Sequence, residues 1–383
     1  MKIPLAWLQL SREKSKLLIA LAGISFADML MFIQLGFQGA LFNANLKLPR
    51  IVKGDIVLLS TQSEAIFNLN SFSRRSLYRT LGMKEVASVS PLYISMAMWK
   101  NPIEGNSKPI MAIGFNPQES NLTVPGLNRH NRNQIQLTDV VLFDDKSRVE
   151  FGPIAELYRQ GEEVTAEIGQ HRVKIGGLFS LGSSFTADGT VITSDINFWR
   201  LFRDRAPDLI DIGLITLKPG VNVDRAIARI QKKLPENIRV LSKAEFVEAE
   251  RAYWQNTTAI GFIFAFGTVI GFIVGTVIVY QILYTDVVDH LPEYATLKAM
   301  GYSDSYFVVV VLQEAVILAI FGYIPGLAIS TAVYALAAWG TNLPVIMTLG
   351  RAIVVLILTI AMCCVSGTLA LRKLKAADPA DIF

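Results

Sequence analysis

Four apolar runs, and the gap between the first two, constrain this chain more than any other feature. They cover about residues 17–37, 260–283, 307–336 and 352–371, and about 220 mostly polar residues separate the first run from the second. A helix needs roughly 20 apolar residues to cross about 30 Å of hydrocarbon, and each run has that length. Four crossings put both chain ends on one side of a membrane and the long insert on the other. The expected fold class is an α-helical membrane protein with four transmembrane helices in a 1+3 layout and a large α+β extracytoplasmic domain between helices 1 and 2. The expected boundaries are an N-terminal segment at 1–16, helix 1 at 17–39, the external domain at 40–256, helix 2 at 257–284, a cytoplasmic link at 285–304, helix 3 at 305–337, an external loop at 338–350, helix 4 at 351–371 and a tail at 372–383.

Composition agrees. The chain is 52% hydrophobic and its mean hydropathy is +0.40, high for a soluble domain. A net charge of +4 without a basic block gives no footprint for nucleic acid. The two cysteines, Cys363 and Cys364, are adjacent and inside the fourth run, so the insert has no disulfide or cysteine-based metal site. The insert must fold by burial, and about 215 residues suffice for that.

Positive charge sets the expected orientation. Lys2, Arg12, Lys14 and Lys16 precede the first run, Lys298 lies between the second and third, and Arg372, Lys373 and Lys375 follow the fourth; the opposite short loop carries only Arg351. Basic residues beside spans stay cytoplasmic, and long translocated domains are exempt from the count. Both termini are therefore expected in the cytoplasm. A rival reading makes residues 1–40 a cleaved signal peptide, but the run is too long for one and lacks a clear small-x-small cleavage site.

Within the insert, runs rich in Val, Ile and Phe predict strands at 55–60, 86–99, 110–115, 163–168, 172–179, 190–193 and 212–217. Helices are predicted at 72–81, 194–202 and 223–234; in the last, Val223, Ile227, Ile230 and Leu234 share one face. A Pro- and Asn-rich stretch, 116–133, reads as a surface loop. Two lobes are expected, one from both ends of the insert and one from its middle. Ser242 with Glu245 three residues on is a capping box. No Gly or Pro follows before the second apolar run, so a helix is predicted to continue to about Leu283, roughly 60 Å over ~42 residues. The alternative is two helices with a break near 256–258.

Gly267, Gly271 and Gly275 are spaced by four and line one helix face. Such faces let membrane helices approach closely, either in a dimer seam or within one chain. Gly322 and Gly326 repeat the spacing beside Pro325, an expected kink. Asp28 falls mid-span. It reads either as a proton relay or substrate contact or, preferred here, as a buried carboxyl bonded to a neighbouring helix. Glu314 is expected near enough to the inner interface to reach water. In the link DVVDHLPEYATLKAMG (286–301), Asp289 can cap a helix, Pro292 fits its first turn and Gly301 suits its left-handed end. Leu291, Tyr294, Leu297 and Met300 would form an apolar strip for a partner. The sequence has no GxxxxGK[ST] phosphate loop, no HExxH and no GxSxG, and His130, His171 and His290 are scattered. Neither catalysis nor a metal site or cofactor is indicated.

The segment EYATLKAMGY (293–302) closely resembles the coupling-helix signature of the MacB/FtsX/LolC-type ABC permeases. PLAWLQLSREKSKLLIALAGI (4–24) is similar to that family's amphipathic helix running into its first span, and LRKLKAADPADIF (371–383) resembles its ending. The wording of residues 27–38 and 290–302 looks most like the cyanobacterial DevC subgroup. The resemblance spans the whole chain. It implies a homodimeric, non-catalytic permease of the bacterial inner membrane, with a separate ABC ATPase below, a membrane-fusion adaptor above and an outer-membrane TolC-like channel beyond. It implies mechanotransmission, with export of a glycolipid or other amphiphile. On this reading Leu291, Glu293, Tyr294, Leu297, Lys298, Met300 and Gly301 form the ATPase-coupling element. An FtsX-like signalling scaffold that controls a periplasmic hydrolase is the alternative. A self-contained secondary transporter fits poorly, because it would want inverted repeats and polar groups at the membrane midplane.

Overall fold

The computed structural model describes residues 14–119, 121–184, 186–341 and 345–375, with backbone only at 294, 295, 304, 341 and 372–375. The expected N-terminal segment up to residue 13 and the tail beyond 375 lie outside the described residues. Two units divide the chain: residues 41–258, and the rest.

The first helix, α1 (Lys14–Asn45), contains no proline and is 32 residues long. A short α2 (Lys47–Ile51) follows. The β-rich unit then runs β1 (Ile56–Ser60), β2 (Phe72–Ser73), α3 (Arg74–Arg79), β3 (Val86–Lys100), β4 (Ser107–Phe115), α4 (Arg129–Gln134), β5 (Val140–Asp144), α5 (Ile154–Arg159), β6 (Thr165–Ile168), β7 (His171–Phe179), β8 (Thr190–Ser194), α6 (Asp195–Leu201), β9 (Leu209–Ile210), β10 (Ile212–Leu217), α7 (Val223–Gln231), β11 (Ile238–Ser242) and α8 (Lys243–Ala252). Side-chain caps start the helices where sequence suggests them. Ser194 accepts from the Asn197 N–H at 3.1 Å and Asn222 from the Arg225 N–H at 3.0 Å. The Ser242–Glu245 capping box forms in both directions, at 3.1 and 2.7 Å.

Nine strands form one sheet in the order β11-β1-β10-β3-β4-β8-β5-β7-β6. The first four pair antiparallel throughout. Their connections, β1–α3–β3 and β10–α7–β11, interleave as two crossovers, which is the ferredoxin-like split βαβ arrangement. The other strands are inserted between β3 and β10. The far edge strand β6 pairs back onto β3 at Trp99↔Ile168 and Lys100↔Glu167, so β3, β4, β8, β5, β7 and β6 close on themselves and leave no free edge there. Buried Trp99 fills this closed end. Its ring lies 5.2 Å from Phe143, and its Nε1–H donates to the Phe151 carbonyl at 3.1 Å. One face of the four-stranded part packs Leu77, Ala226 and Ile230 from α3 and α7. The other packs Leu48 of α2, Val52 just after it and Phe246 of α8. The stretch expected to be a surface loop instead buries Leu122, Val124 and Leu127 and ends in α4. Its polar punctuation obscured three apolar anchors.

A continuous helix from Ser242 into the membrane segment does not form. After α8 the chain makes a π-helical turn, Tyr253–Thr257, and Thr258 is extended (φ −95°, ψ 148°). Asn and β-branched Thr are poor helix formers, and the Thr258 hydroxyl turns back to the Trp254 carbonyl at 2.7 Å.

Beyond this break stand α9 (Ala259–Asp289), α10 (Leu291–Ala299), α11 (Asp304–Thr341) and α12 (Leu349–Lys375). Among the described residues four helices, α1, α9, α11 and α12, are long and apolar enough to cross a membrane. α12 packs on both α9 and α11. Only 17% of the best apolar window of α9 is buried, with Phe262, Phe266, Ile273 and Val277 facing outward. Such a helix is stable only in an apolar solvent or against another apolar surface.

Candidate functional site

The nine-residue α10 lies between two long apolar helices and is held at both ends. At its start His290, not Asp289, is the N-cap residue, and no side chain caps the helix. The expected cap, Asp289, is drawn away into an ion pair with Lys16 of α1 at 2.6 Å. The His290 ring Nδ1 instead meets the Asp286 carbonyl at 2.9 Å. Pro292 occupies the first turn, where its missing N–H costs nothing. At the other end the Gly301 N–H reaches the Lys298 carbonyl at 3.0 Å and the Tyr302 N–H reaches the Leu297 carbonyl at 3.2 Å. With Gly301 at φ +96°, this is a Schellman motif.

The side chains of α10 divide. Leu297 is partly buried and packs against Val287, Phe307, Val311 and Leu371. It therefore fastens the helix to its own unit rather than offering a contact. Leu291 is half-buried, whereas Glu293, Lys298 and Gly301 are exposed and Met300 is 64% exposed. The outward set is thus smaller and more polar than the strip read from spacing. The side chain of Tyr294 is outside the described residues.

Gly267, Gly271 and Gly275 pack within the chain. A Cβ at Gly267 would lie 2.5 Å from Gln34, one at Gly271 3.2 Å from Met31, and one at Gly275 2.7 Å from Ala27 while also striking Met362. These glycines are where α9 closes on α1 and α12. Asp28 is fully buried beside Gly326. Its Oδ1 accepts from the Thr359 hydroxyl of α12 at 2.5 Å, and Oδ2 has no partner among the described residues. Other polar clasps join the helices: Ser25 to the Gly322 carbonyl at 2.9 Å, Ser366 to Thr276 at 2.8 Å, Tyr323 to Ala352 at 2.8 Å, and Tyr334 to Phe32. In membranes such bonds each contribute on the order of 0.6–2 kcal/mol.

Sequence reading missed a second cluster. Glu314 does not reach water. It is fully buried on α11, neither carboxylate oxygen has a donor among the described residues, and Asp286 of α9 is the charged group beside it. Asp286 also approaches His290 at 3.7 Å. The three residues join α9, α10 and α11, and a spacing of 28 residues between Asp286 and Glu314 gave no local motif to find. Among the described residues no three His, Cys, Asp or Glu side chains are placed to hold a metal ion.

Residues 263–379 match the family model described as "FtsX-like permease C-terminal". The matched stretch takes in almost all of α9 and the whole of α10, α11 and α12. No curated protein matches. Solved structures similar to the chain include the periplasmic region of MacB from Actinobacillus actinomycetemcomitans, at 11% identity and TM-score 0.36, covering 54% of this chain and 95% of that one. Another is the extracellular domain of the noncanonic ABC-type transporter YknZ from Gram-positive bacteria, at 13% identity and TM-score 0.34, covering 49% and 99%. A domain of a putative permease protein from Porphyromonas gingivalis gives 13% identity and TM-score 0.28, covering 49% and 88%.

Proposed function

We propose that this chain is the transmembrane subunit of an ATP-driven ABC exporter that works by mechanotransmission. A separate ATPase hydrolyses the nucleotide and pushes on α10. The β-rich unit, between α1 and α9 in the chain, lies on the other side of the membrane and works with a membrane-fusion adaptor and a TolC-like outer-membrane channel. The layout is 1+3, both termini are cytoplasmic, the membrane is the inner membrane, and two copies form the working dimer. The cargo is a glycolipid or other amphiphile, and the subgroup is DevC-like. The chain is itself non-catalytic.

One observation carries the reading. Within the stretch that matches the FtsX-like family, a short helix with an exposed Glu293 and Met300 is fixed at both ends between two apolar helices. A rigid mount with an outward polar face is what a coupling element requires. The mid-span Asp28 is bonded through Oδ1 to Thr359, which favours a packing role for it.

The test is co-purification of the separate ABC ATPase with Glu293→Lys and Met300→Asp variants. Both positions are exposed, so the fold is expected to survive. Loss of the ATPase supports the reading, and recovery at wild-type levels sinks it.

A further inference from the structure

Helix α3 carries three arginines in six residues, Arg74, Arg75 and Arg79. Elsewhere in the β-rich unit Arg200, Arg205 and Arg229 each hold a carboxylate. None of the three on α3 does so among the described residues. Arg74 is nevertheless fixed in place. Its Cζ lies 5.7 Å from the Tyr78 ring centroid and 5.6 Å from that of Trp199. Stacking of this kind orients a guanidinium while leaving its N–H edge free.

The floor of the cluster holds buried polar groups without partners among the described residues. Tyr93 is fully buried and meets Trp199 edge-on at 5.4 Å. Neither its hydroxyl nor the Trp199 Nε1–H has a hydrogen-bond partner among the described residues. Arg74, Asp195 and Tyr78 are the groups that act on the Tyr93 hydroxyl, and burial pushes it up to about 12, so it keeps its proton. Arg74 lies near that hydroxyl without making a hydrogen bond of good geometry. Asp195, the acid facing the cluster, accepts from the Ile196 N–H at 3.0 Å and makes no ion pair with Arg74. Around the rim, Tyr78 is 43% and Ile196 66% exposed. Arg, Tyr and Trp grouped in this way are the residue types that dominate binding energy at protein interfaces. Three guanidiniums without an ion pair among the described residues call for carboxylates, which match a guanidinium fork with two parallel bonds.

We infer that the α3–α6 face is a docking surface for an acidic protein segment. One carboxylate is held by Arg74, Arg75 and Arg79 attract the segment, and Tyr78 supplies apolar contact. This goes beyond the permease reading and needs neither ATP nor the ATPase.

The experiment uses the full chain in neutral detergent and a fluorescein-labelled hexaglutamate peptide, followed by anisotropy at two salt concentrations. Saturable binding is expected. Arg74→Gln and Arg74→Lys should each raise Kd at least tenfold, with unchanged circular dichroism, because Lys keeps the charge but loses the fork. Arg75→Gln/Arg79→Gln should reduce the salt dependence. Lys146→Gln/Lys232→Gln, which removes two exposed cations elsewhere, should change nothing. Wild-type binding by both Arg74 variants overturns the inference. So does an equal loss in the lysine control, which would assign the effect to net charge, or displacement of the peptide by soluble short-chain phosphatidylglycerol, which would assign the surface to a lipid headgroup.

Discussion

Gly301 is where the conformation of α10 depends on one residue type, and its replacement has a calculable cost. The residue sits at φ +96°, a region that side chains with a Cβ rarely adopt. A Cβ built there meets no heavy atom within 4 Å, so crowding contributes nothing and the penalty is conformational alone. Forcing an L residue into a left-handed conformation costs about 1–2 kcal/mol. Reduced freedom of the unfolded chain returns roughly 0.4–1 kcal/mol of that for Ala. The net for Gly301→Ala is about 1 kcal/mol, or roughly a fivefold shift in opening of the helix end. The β-branched Gly301→Val should cost more, and Gly301→Asn less, since Asn tolerates this region. Hydrogen exchange of the Gly301 and Tyr302 amides reads the opening directly, because both are donors in the Schellman motif. Exchange should quicken in the order Gly, Asn, Ala, Val. Equal protection in all four would refute the reasoning, and slower exchange in Ala would mean that the helix runs on through this point.

Other substitutions separate structural from chemical roles. Gly275→Leu must displace Ala27 and Met362, and overpacking of this kind costs about 1–3 kcal/mol. Its melting temperature in detergent should fall well below that of Gly271→Ala, whose new Cβ meets Met31 at 3.2 Å. Asp28→Asn keeps an acceptor for Thr359, so ATP-driven transport should persist, whereas Asp28→Leu should lose about 1 kcal/mol in the same melts. Transport abolished in a normally melting Asn variant would restore the proton-relay reading. In the β-rich unit burial raises the pKa of Asp144 and Glu250. A carboxyl raised on folding contributes stability below its unfolded pKa of about 4 and loses it as pH climbs through the folded value. Melting temperature should therefore decline upward from about pH 4, and Glu250→Gln should flatten part of that slope. An unchanged slope would show that Glu250 is not buried in solution.

The parts of this fold that were legible in sequence are those encoded by neighbours along the chain. Runs such as 86–99 and 212–217 are strands because branched and aromatic residues are bounded by turn formers, and the ends of α8 and α10 follow from Ser242, Glu245 and Gly301. Four strands escaped notice: the two-residue β2 and β9, too short to carry a pattern, and β5 and β11. β5 is buried on both faces, and its continuous apolar run has no period to distinguish it from a helix. β11 directly follows α7 and borrows its character from pairing with β1. The candidate site was half legible. Spacing placed Leu297 with Met300, yet only the packing of Val287, Phe307 and Leu371 turns Leu297 inward. Asp289 looked like a cap until Lys16, 273 residues away in sequence, engaged it. Glu314, Asp286 and the Arg74 cluster exist only through tertiary contact, and no local pattern announces them.

The break at Thr258 bears on how force would pass along the chain. A helix unbroken from Ser242 would act as a stiff rod. The observed path instead has a π-helical turn and one extended residue, features that recur at functional sites in helices. The side toward the β-rich unit is anchored: Glu250 accepts from the Trp254 Nε1–H at 2.9 Å and from the Ile66 N–H at 3.0 Å. The helical path is interrupted at 256–258. Replacing Asn256, Thr257 and Thr258 together by Ala favours a continuous helix by about 2 kcal/mol on propensity. The amides of residues 259–262, which lack intrahelical acceptors at a helix start, should then gain protection from exchange. If the break serves as a hinge, ATP-driven transport should fall while ATPase docking is unchanged. Slow exchange at 259–262 already in the unaltered chain would mean that no break exists. Protected amides with undiminished transport would mean that the break is present but carries no part of the stroke.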